Sequence, residues 1–104
     1  MDEECVINKV RAYSELVRQH FDVEKVILFG SYAKGTARED SDIDVAVVLK
    51  TRPEDWLASS AKLFRLTRDI DISIEPVMLD ESHDQSGFLE EVERTGQIIY
   101  QRSA

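Results

Sequence analysis

Val26-Ile27-Leu28-Phe29, Gly30-Ser31-Tyr32-Ala33-Lys34-Gly35, a polar link from Thr36 to Ser41, then Asp42-Ile43-Asp44-Val45-Ala46-Val47-Val48-Leu49: this stretch decides the fold. The opening apolar run is short, partly β-branched and stopped by glycine, so it reads as a buried strand rather than a helix. Gly30-Ser31 begins a turn, and Ser31 to Lys34 has room for one helical turn ended by Gly35. Ile43 to Leu49 reads as a second strand, near-continuously apolar once past the two aspartates.

Working outward, Ile7, Val10, Ser14, Val17 and Phe21 recur at helical spacing and predict an amphipathic first helix over about 4–20. On the other side, Thr51 with Glu54 resembles a capping box and Pro53 suits a first helical turn. A helix over 54–67 follows, with Leu57, Ala61 and Phe64 inward and Trp56, Leu63 and Leu66 flanking. From Ile70 the pattern alternates, with Ile70, Ile72 and Ile74 on one face and Asp71, Ser73 and Glu75 on the other. That predicts a third strand reaching Met78 or Leu79. Ser82 to Gly87 is a polar loop. Phe88 to Arg94 is a last helix with Phe88 and Val92 inward, stopped by Gly96, and 97–100 is a closing strand. The fold class is therefore α/β, a small mixed β-sheet with helices packed on it.

At 104 residues, 42% hydrophobic and 33% charged, the chain is sized for one domain with a single modest core, expected over 1–104. A net charge of -8 argues against a broad nucleic-acid footprint, which needs a basic face. It leaves room for a nucleotide, whose phosphates are met by metal ions and a few local donors. The single cysteine, Cys5, rules out an internal disulfide and a cysteine-based zinc site. No apolar run is long enough to cross a membrane, and the acidic start Met1-Asp2-Glu3-Glu4 is unlike a signal peptide, so the expectation is a cytoplasmic protein.

Strand alternation puts Asp42 and Asp44 on one face, about 7 Å apart at their roots. Two carboxylates that close repel unless a cation lies between them. Magnesium suits the pair, since it takes oxygen ligands from one or two carboxylates plus substrate phosphates. Two-metal chemistry asks for a third carboxylate from a neighbouring strand. Asp71 and Glu75 both qualify, and Glu75, further inside the strand, is preferred. Gly30 lets backbone approach a phosphate, the Ser31 hydroxyl adds a donor, and Lys34 and Arg38 are candidates to neutralise a triphosphate. Tyr13, Trp56 and Phe64 read as packing residues, and Tyr32 as either packing or a border of the nucleotide.

Gly30-Ser31, ten residues, then Asp42-Ile43-Asp44 resembles the G-S-x10-D-x-D signature of the DNA polymerase β-like nucleotidyltransferase superfamily. The short chain, the Ile74-Glu75-Pro76-Val77 segment and the end from Phe88 to Tyr100 are similar to its minimal members, the MntA-type antitoxins paired with HEPN toxins. The resemblance implies a polymerase β-like palm fold and transfer of a nucleoside monophosphate from a triphosphate, with release of pyrophosphate. It implies that Gly30 and Ser31 hold phosphate, that Asp42 and Asp44 bind Mg2+, and that Glu75 stands where many members have Asp. Larger members place a second domain opposite the catalytic one, so here the acceptor is expected on another chain. The resemblance points to a HEPN toxin, with AMP passing from ATP to a tyrosine. Neutralisation by binding alone, and an aminoglycoside-type enzyme acting on small molecules, are the alternatives.

Overall fold

A computed structural model of the chain describes residues 2–84 and 86–103. In chain order it has α1 (Glu3–Arg18), β1 (Val23–Phe29), α2 (Ser31–Lys34), β2 (Ile43–Leu49), α3 (Trp56–Leu66), β3 (Ile74–Asp80), α4 (Phe88–Thr95) and β4 (Gln97–Gln101). The strands form one sheet in the order β3-β2-β1-β4. β1 runs antiparallel to both β2 and β4, while β2 and β3 are parallel and joined by α3 as the crossover. This is the mixed sheet with packed helices that the pattern predicts.

Each helix is set by local chemistry. The Asp2 side chain accepts from the Cys5 amide at 2.8 Å, with Glu3 and Glu4 in the first turn of α1 and Arg18 in its last, all matched to the helix dipole. Asp55 caps α3 by accepting from the Ala58 amide at 2.9 Å. The expected capping box of Thr51 and Glu54 is not the one used: the helix starts at Trp56, and Asp55, four residues after Thr51, is its cap. Asp84 reaches the amides of Leu89 and Glu90 at the head of α4.

The sheet has two unlike faces. On one, Val26, Leu28, Ile43, Val45, Val47 and Met78 pack against Val6, Val10, Tyr13 and Val17 of α1 and Leu63 of α3. On the other, Ile27, Ala46 and Val48 pack against Leu89 and Val92 of α4, with Phe29 and Leu79 beside them. The Tyr13 hydroxyl crosses the first core to donate to the Leu63 carbonyl at 2.8 Å, and burial pushes its phenol well above the usual range. Gly96 lets α4 close on the second face, since a Cβ there would stand 2.6 Å from Ile27 Cγ2 and 2.8 Å from the Leu28 carbonyl.

Three expectations are corrected. α3 turns Leu63 inward, with Trp56 and Leu66 beside it, and leaves Leu57, Ala61 and Phe64 exposed. The helix carries apolar residues on two sides, and the crossover to β3 selects the other one. β3 starts at Ile74 rather than Ile70. Thr67–Asp69 continues α3 as a 3-10 turn, and the Asp71 carboxylate accepts from the Ser73 amide, folding 71–74 into a turn that leaves Ile72 82% exposed. In α4 it is Leu89 that joins Val92 inside, while Phe88 is half-exposed with its ring edge-to-face on Phe29 at 5.7 Å.

Both sheet edges are blunted. Ile43 N donates to Ser73 O, and Glu81 N to Leu49 O. Odd-numbered residues of β3 therefore turn their amides to β2, and Pro76, which has none, faces outward. On β4 the register with β1 slips between Val26 and Ile27, a bulge that twists that edge.

Candidate active site

The site grows from the start of β2. In the register of the sheet Asp44 lies between Phe29 of β1 and Glu75 of β3, and Asp42 precedes it by two residues, so all three carboxylates share the thinly covered face. Leu89 and Val92 of α4 cover the middle of that face, and Phe88 at the head of the helix reaches Phe29 beside Asp44. The turn from Arg38 to Ser41, closed by the Arg38 amide on Ser41 Oγ at 2.8 Å and the Ser41 amide on the Arg38 carbonyl at 3.0 Å, brings the chain back to deliver Asp42.

Gly30 sits against the carboxylate. Its φ is +72°, and a Cβ built there would lie 2.2 Å from Asp44 Oδ2. The glycine is needed for two reasons: a backbone that side chains resist, and room for the Asp44 head group. The expectation that backbone closeness to a ligand explains the residue is thus joined by a cause inside the chain. Ser31 opens α2, so the amides of Ser31, Tyr32 and Ala33 precede the first helical bond, Lys34 N to Gly30 O at 3.1 Å.

The electrostatics is set by burial and by the mutual repulsion of the acids. Burial, then the charge of Asp42, pushes the Asp44 carboxyl above its ordinary value. Loss of hydration pushes Glu75 up as well, followed by the charges of Asp42 and Asp44 and a hydrogen-bonding contact with Asp42. Asp71, the other candidate for the third carboxylate, is elsewhere: it pairs with Lys9 of α1 and accepts from Ser73, and these contacts lower it to about 2. The structure brings Glu75, not Asp71, to the pair.

Among the described residues no three His, Cys, Asp or Glu side chains close around one point as a metal cage would. The three carboxylates share a face rather than a centre. Their hard oxygen donors and mutual repulsion fit Mg2+, which keeps several waters and needs only one or two carboxylates with substrate phosphates. Asp42, Asp44 and Glu75 are the residues that would hold it.

Lys34 and Arg38 share one groove. They line it with Glu3, Tyr32, Gly35 and Glu39, and none of the three acids borders it. Tyr32 packs against the main core. Sequence reasoning missed the aromatic wall, in which Phe29 stands beside Asp44 and carries the half-exposed ring of Phe88. Its one signal was a phenylalanine directly before Gly30, at the end of a buried run.

A family model described as "Polymerase beta, Nucleotidyltransferase" matches residues 12–104. A Methanocaldococcus jannaschii protein provisionally named protein adenylyltransferase MJ0141 is 36% identical over 71% of this chain and 76% of its own length. A second from that organism, MJ1305, provisionally named likewise, is 43% identical over 52% of this chain and only 38% of its own length. Protein adenylyltransferase MntA of Thermococcus cleftensis is 40% identical over 40% of this chain and 42% of its own. The match thus spans less than half the length of the last two. Among solved structures, a chain from Sulfolobus solfataricus provisionally described as a nucleotidyltransferase superposes with a TM-score of 0.72 at 25% identity, covering 96% of this chain and 84% of its own. At 18% identity and a TM-score of 0.63, the complex of a tri-AMPylated Shewanella oneidensis HEPN toxin with its MNT antitoxin shows the same fold over 97% of this chain and 74% of that one. Among the described residues no helix is long and apolar enough to cross a membrane.

Proposed function

The chain belongs to the polymerase β nucleotidyltransferase family, and on that footing we propose that it transfers AMP from ATP, with Mg2+, to a tyrosine hydroxyl of a HEPN toxin. One observation carries the reading: Asp42, Asp44 and Glu75 stand on the one open end of the sheet, with Gly30 and the head of α2 beside them. In this reading 1–104 is a single minimal nucleotidyltransferase domain, it works in the cytoplasm, and it neutralises the toxin. The supporting parallels are a relative named protein adenylyltransferase and a fold neighbour described as an MNT antitoxin bound to an AMPylated HEPN toxin.

Chemically, the acceptor oxygen bonds to the α-phosphorus as the bond to the α–β bridging oxygen breaks, and pyrophosphate leaves with that electron pair. Mg2+, when bound, supplies charge neutralisation for the phosphates. Gly30 keeps space for the Asp44 head group, and Ser31 offers its amide and hydroxyl to a phosphate. Asp42 and Asp44 present the ligand oxygens. Glu75 completes the set from β3, and the acceptor's proton passes to a carboxylate of this cluster. Lys34 and Arg38, in their own groove, serve the outer end of the triphosphate only if a side chain swings across.

The test is incubation of the chain with labelled ATP, Mg2+ and the HEPN toxin. The toxin takes up label, Asp42→Ala with Asp44→Ala abolishes it, and a toxin whose tyrosines are replaced stays unlabelled. Undiminished labelling by the double variant would sink the assignment of the acids.

A further inference from the structure

A nucleotide held at Asp42, Asp44 and Gly30 by its phosphates alone would leave its base uncovered, and the face that carries the acids has few surfaces to receive it. The chain has one tryptophan, three tyrosines and four phenylalanines. Tyr13, Phe21, Tyr32, Trp56 and Tyr100 pack on the main core, on the opposite side of the sheet. Guanidinium groups already lie over two of these rings, Arg52 on Trp56 at 4.3 Å and Arg18 on Tyr100 at 3.8 Å. Phe64 stands on the outer side of α3, beside Pro76 and Met78. Among the described residues only Phe29 and Phe88 join the face of Asp44 and Glu75.

Phe29 lies opposite Asp44 in the register of β1 on β2, and the Phe88 ring meets it edge-to-face, centroids 5.7 Å apart and planes at 84°. A strand spacing of roughly 5 Å followed by that ring contact leaves room for a ribose between a phosphate at Asp44 and a base on Phe88. Phe29 packs against the second apolar cluster, whereas Phe88 keeps 39% of its surface open. The head of α4 fixes this ring in advance. Asp84 accepts from the amides of Leu89 and Glu90 at 2.9 and 3.1 Å, Ser86 Oγ accepts from the Phe88 amide at 3.3 Å, and Leu89 is buried. Gly87 enters the helix at a φ of +75° with nothing near the place of an added Cβ, so glycine serves the turn there and not the space. A ring held this way loses little freedom when a base covers it.

We propose that Phe88 is the base-stacking residue of this site, the purine lying on its ring while the acids and the Gly30 turn hold the phosphates. The inference rests on the reading of Asp42, Asp44 and Glu75 as a nucleotide site, and goes beyond it by giving the base a partner on this chain.

Isothermal titration calorimetry of the whole chain with Mg2+ tests this without an acceptor, with ATP and inorganic triphosphate as the two ligands. Phe88→Ala should weaken ATP about tenfold to a hundredfold, the range of one lost base stack, and leave triphosphate within about twofold. Phe88→Leu keeps apolar bulk against Phe29 without a π-face and should lose ATP affinity likewise, whereas Phe88→Tyr should keep it. Far-UV circular dichroism checks that the variants stay folded, and if Phe88→Ala does not fold, the leucine and tyrosine variants decide. Equal losses of both ligands, or no loss of ATP, overturn the proposal and leave the acid site standing. A leucine variant that binds ATP like wild type does the same, as does a tyrosine variant that does not. A wild-type chain that binds neither ligand overturns the reading of the acids and the proposal with it, and so does binding that survives Asp42→Ala with Asp44→Ala.

Discussion

The two faces of the sheet differ in what covers them. Two helices lie over one, with a continuous core from Val6 to Leu63, and Asp80 is buried at its margin on β3. One eight-residue helix lies over the other, held by Leu89, Val92 and Gly96, and three carboxylates share the rest of that face. The thick side supplies the apolar burial that stabilises the domain. The open end of the thin side holds the mutually repelling acids apart from both buried apolar clusters. Stability and chemistry are thus divided between opposite sides of the same strands, alternating residue by residue along β2.

That division can be attacked from either side, and the largest effect should come at Gly30. Gly30→Ala puts a methyl into the Asp44 carboxylate at a positive φ, and transfer to the acceptor should fall by about a hundredfold or more, on the order expected for a misplaced reacting group. The melting temperature should move only modestly, and a collapse of the fold instead would mean that the thin side is structural after all. Leu63→Ala is the mirror experiment. Its cavity in the main core should cost about 2–5 kcal/mol in urea titrations, while turnover per folded molecule stays unchanged.

Gly96→Ala probes the seam where the small helix meets β1. The contact of 2.6 Å with Ile27 predicts a loss of about 1–3 kcal/mol from overpacking, read by thermal melting. Tyr13→Phe removes the donor to the Leu63 carbonyl and should cost about 1 kcal/mol, with no change in turnover. The smallest effect is pH-dependent. The Lys9 contact, then Ser73, holds Asp71 at about 2, below its unfolded value, so its stabilising share is present in full above about pH 4. As pH falls from there towards 2 that share disappears. The stability gap between wild type and Asp71→Asn, measured by denaturant titration, should therefore narrow across that window. A constant gap would show that the turn before β3 does not depend on this charge.

What was legible in the sequence follows from how many independent signals agreed. β2, the turn at Gly30 and the short α2 ending at Gly35 were legible because glycine, apolar run and paired aspartates all pointed one way. α3 was legible as a helix but not in its orientation. Leu57, Ala61 and Phe64 make as good a stripe as Trp56 and Leu63, and only tertiary packing chooses between them. The early part of β3 failed for another reason. Ile70, Ile72 and Ile74 alternate like a strand, yet the Asp71 carboxylate captures the Ser73 amide and turns the chain, a local bond that overrides the pattern. The preference for Glu75 over Asp71 rested on depth in a strand, yet β3 starts at Ile74 and Glu75 is exposed at its second position; the parallel register of β3 on β2 is what sets it beside Asp44. That Lys34 and Arg38 line a groove bordered by none of the three acids depends on where a loop travels. Loops obey side-chain contacts that periodicity does not record.

The pairing of β1 with β4 has a consequence during synthesis. Val26 lies opposite Tyr100, so the first strand of this sheet has its outer neighbour in the last. β1 and β2 are near in sequence and can pair early, but the nascent sheet keeps one side of β1 open until the segment through Gln101 has emerged. Throughout that interval the apolar run from Val26 to Phe29 is open along one edge, a template for pairing with another extended segment.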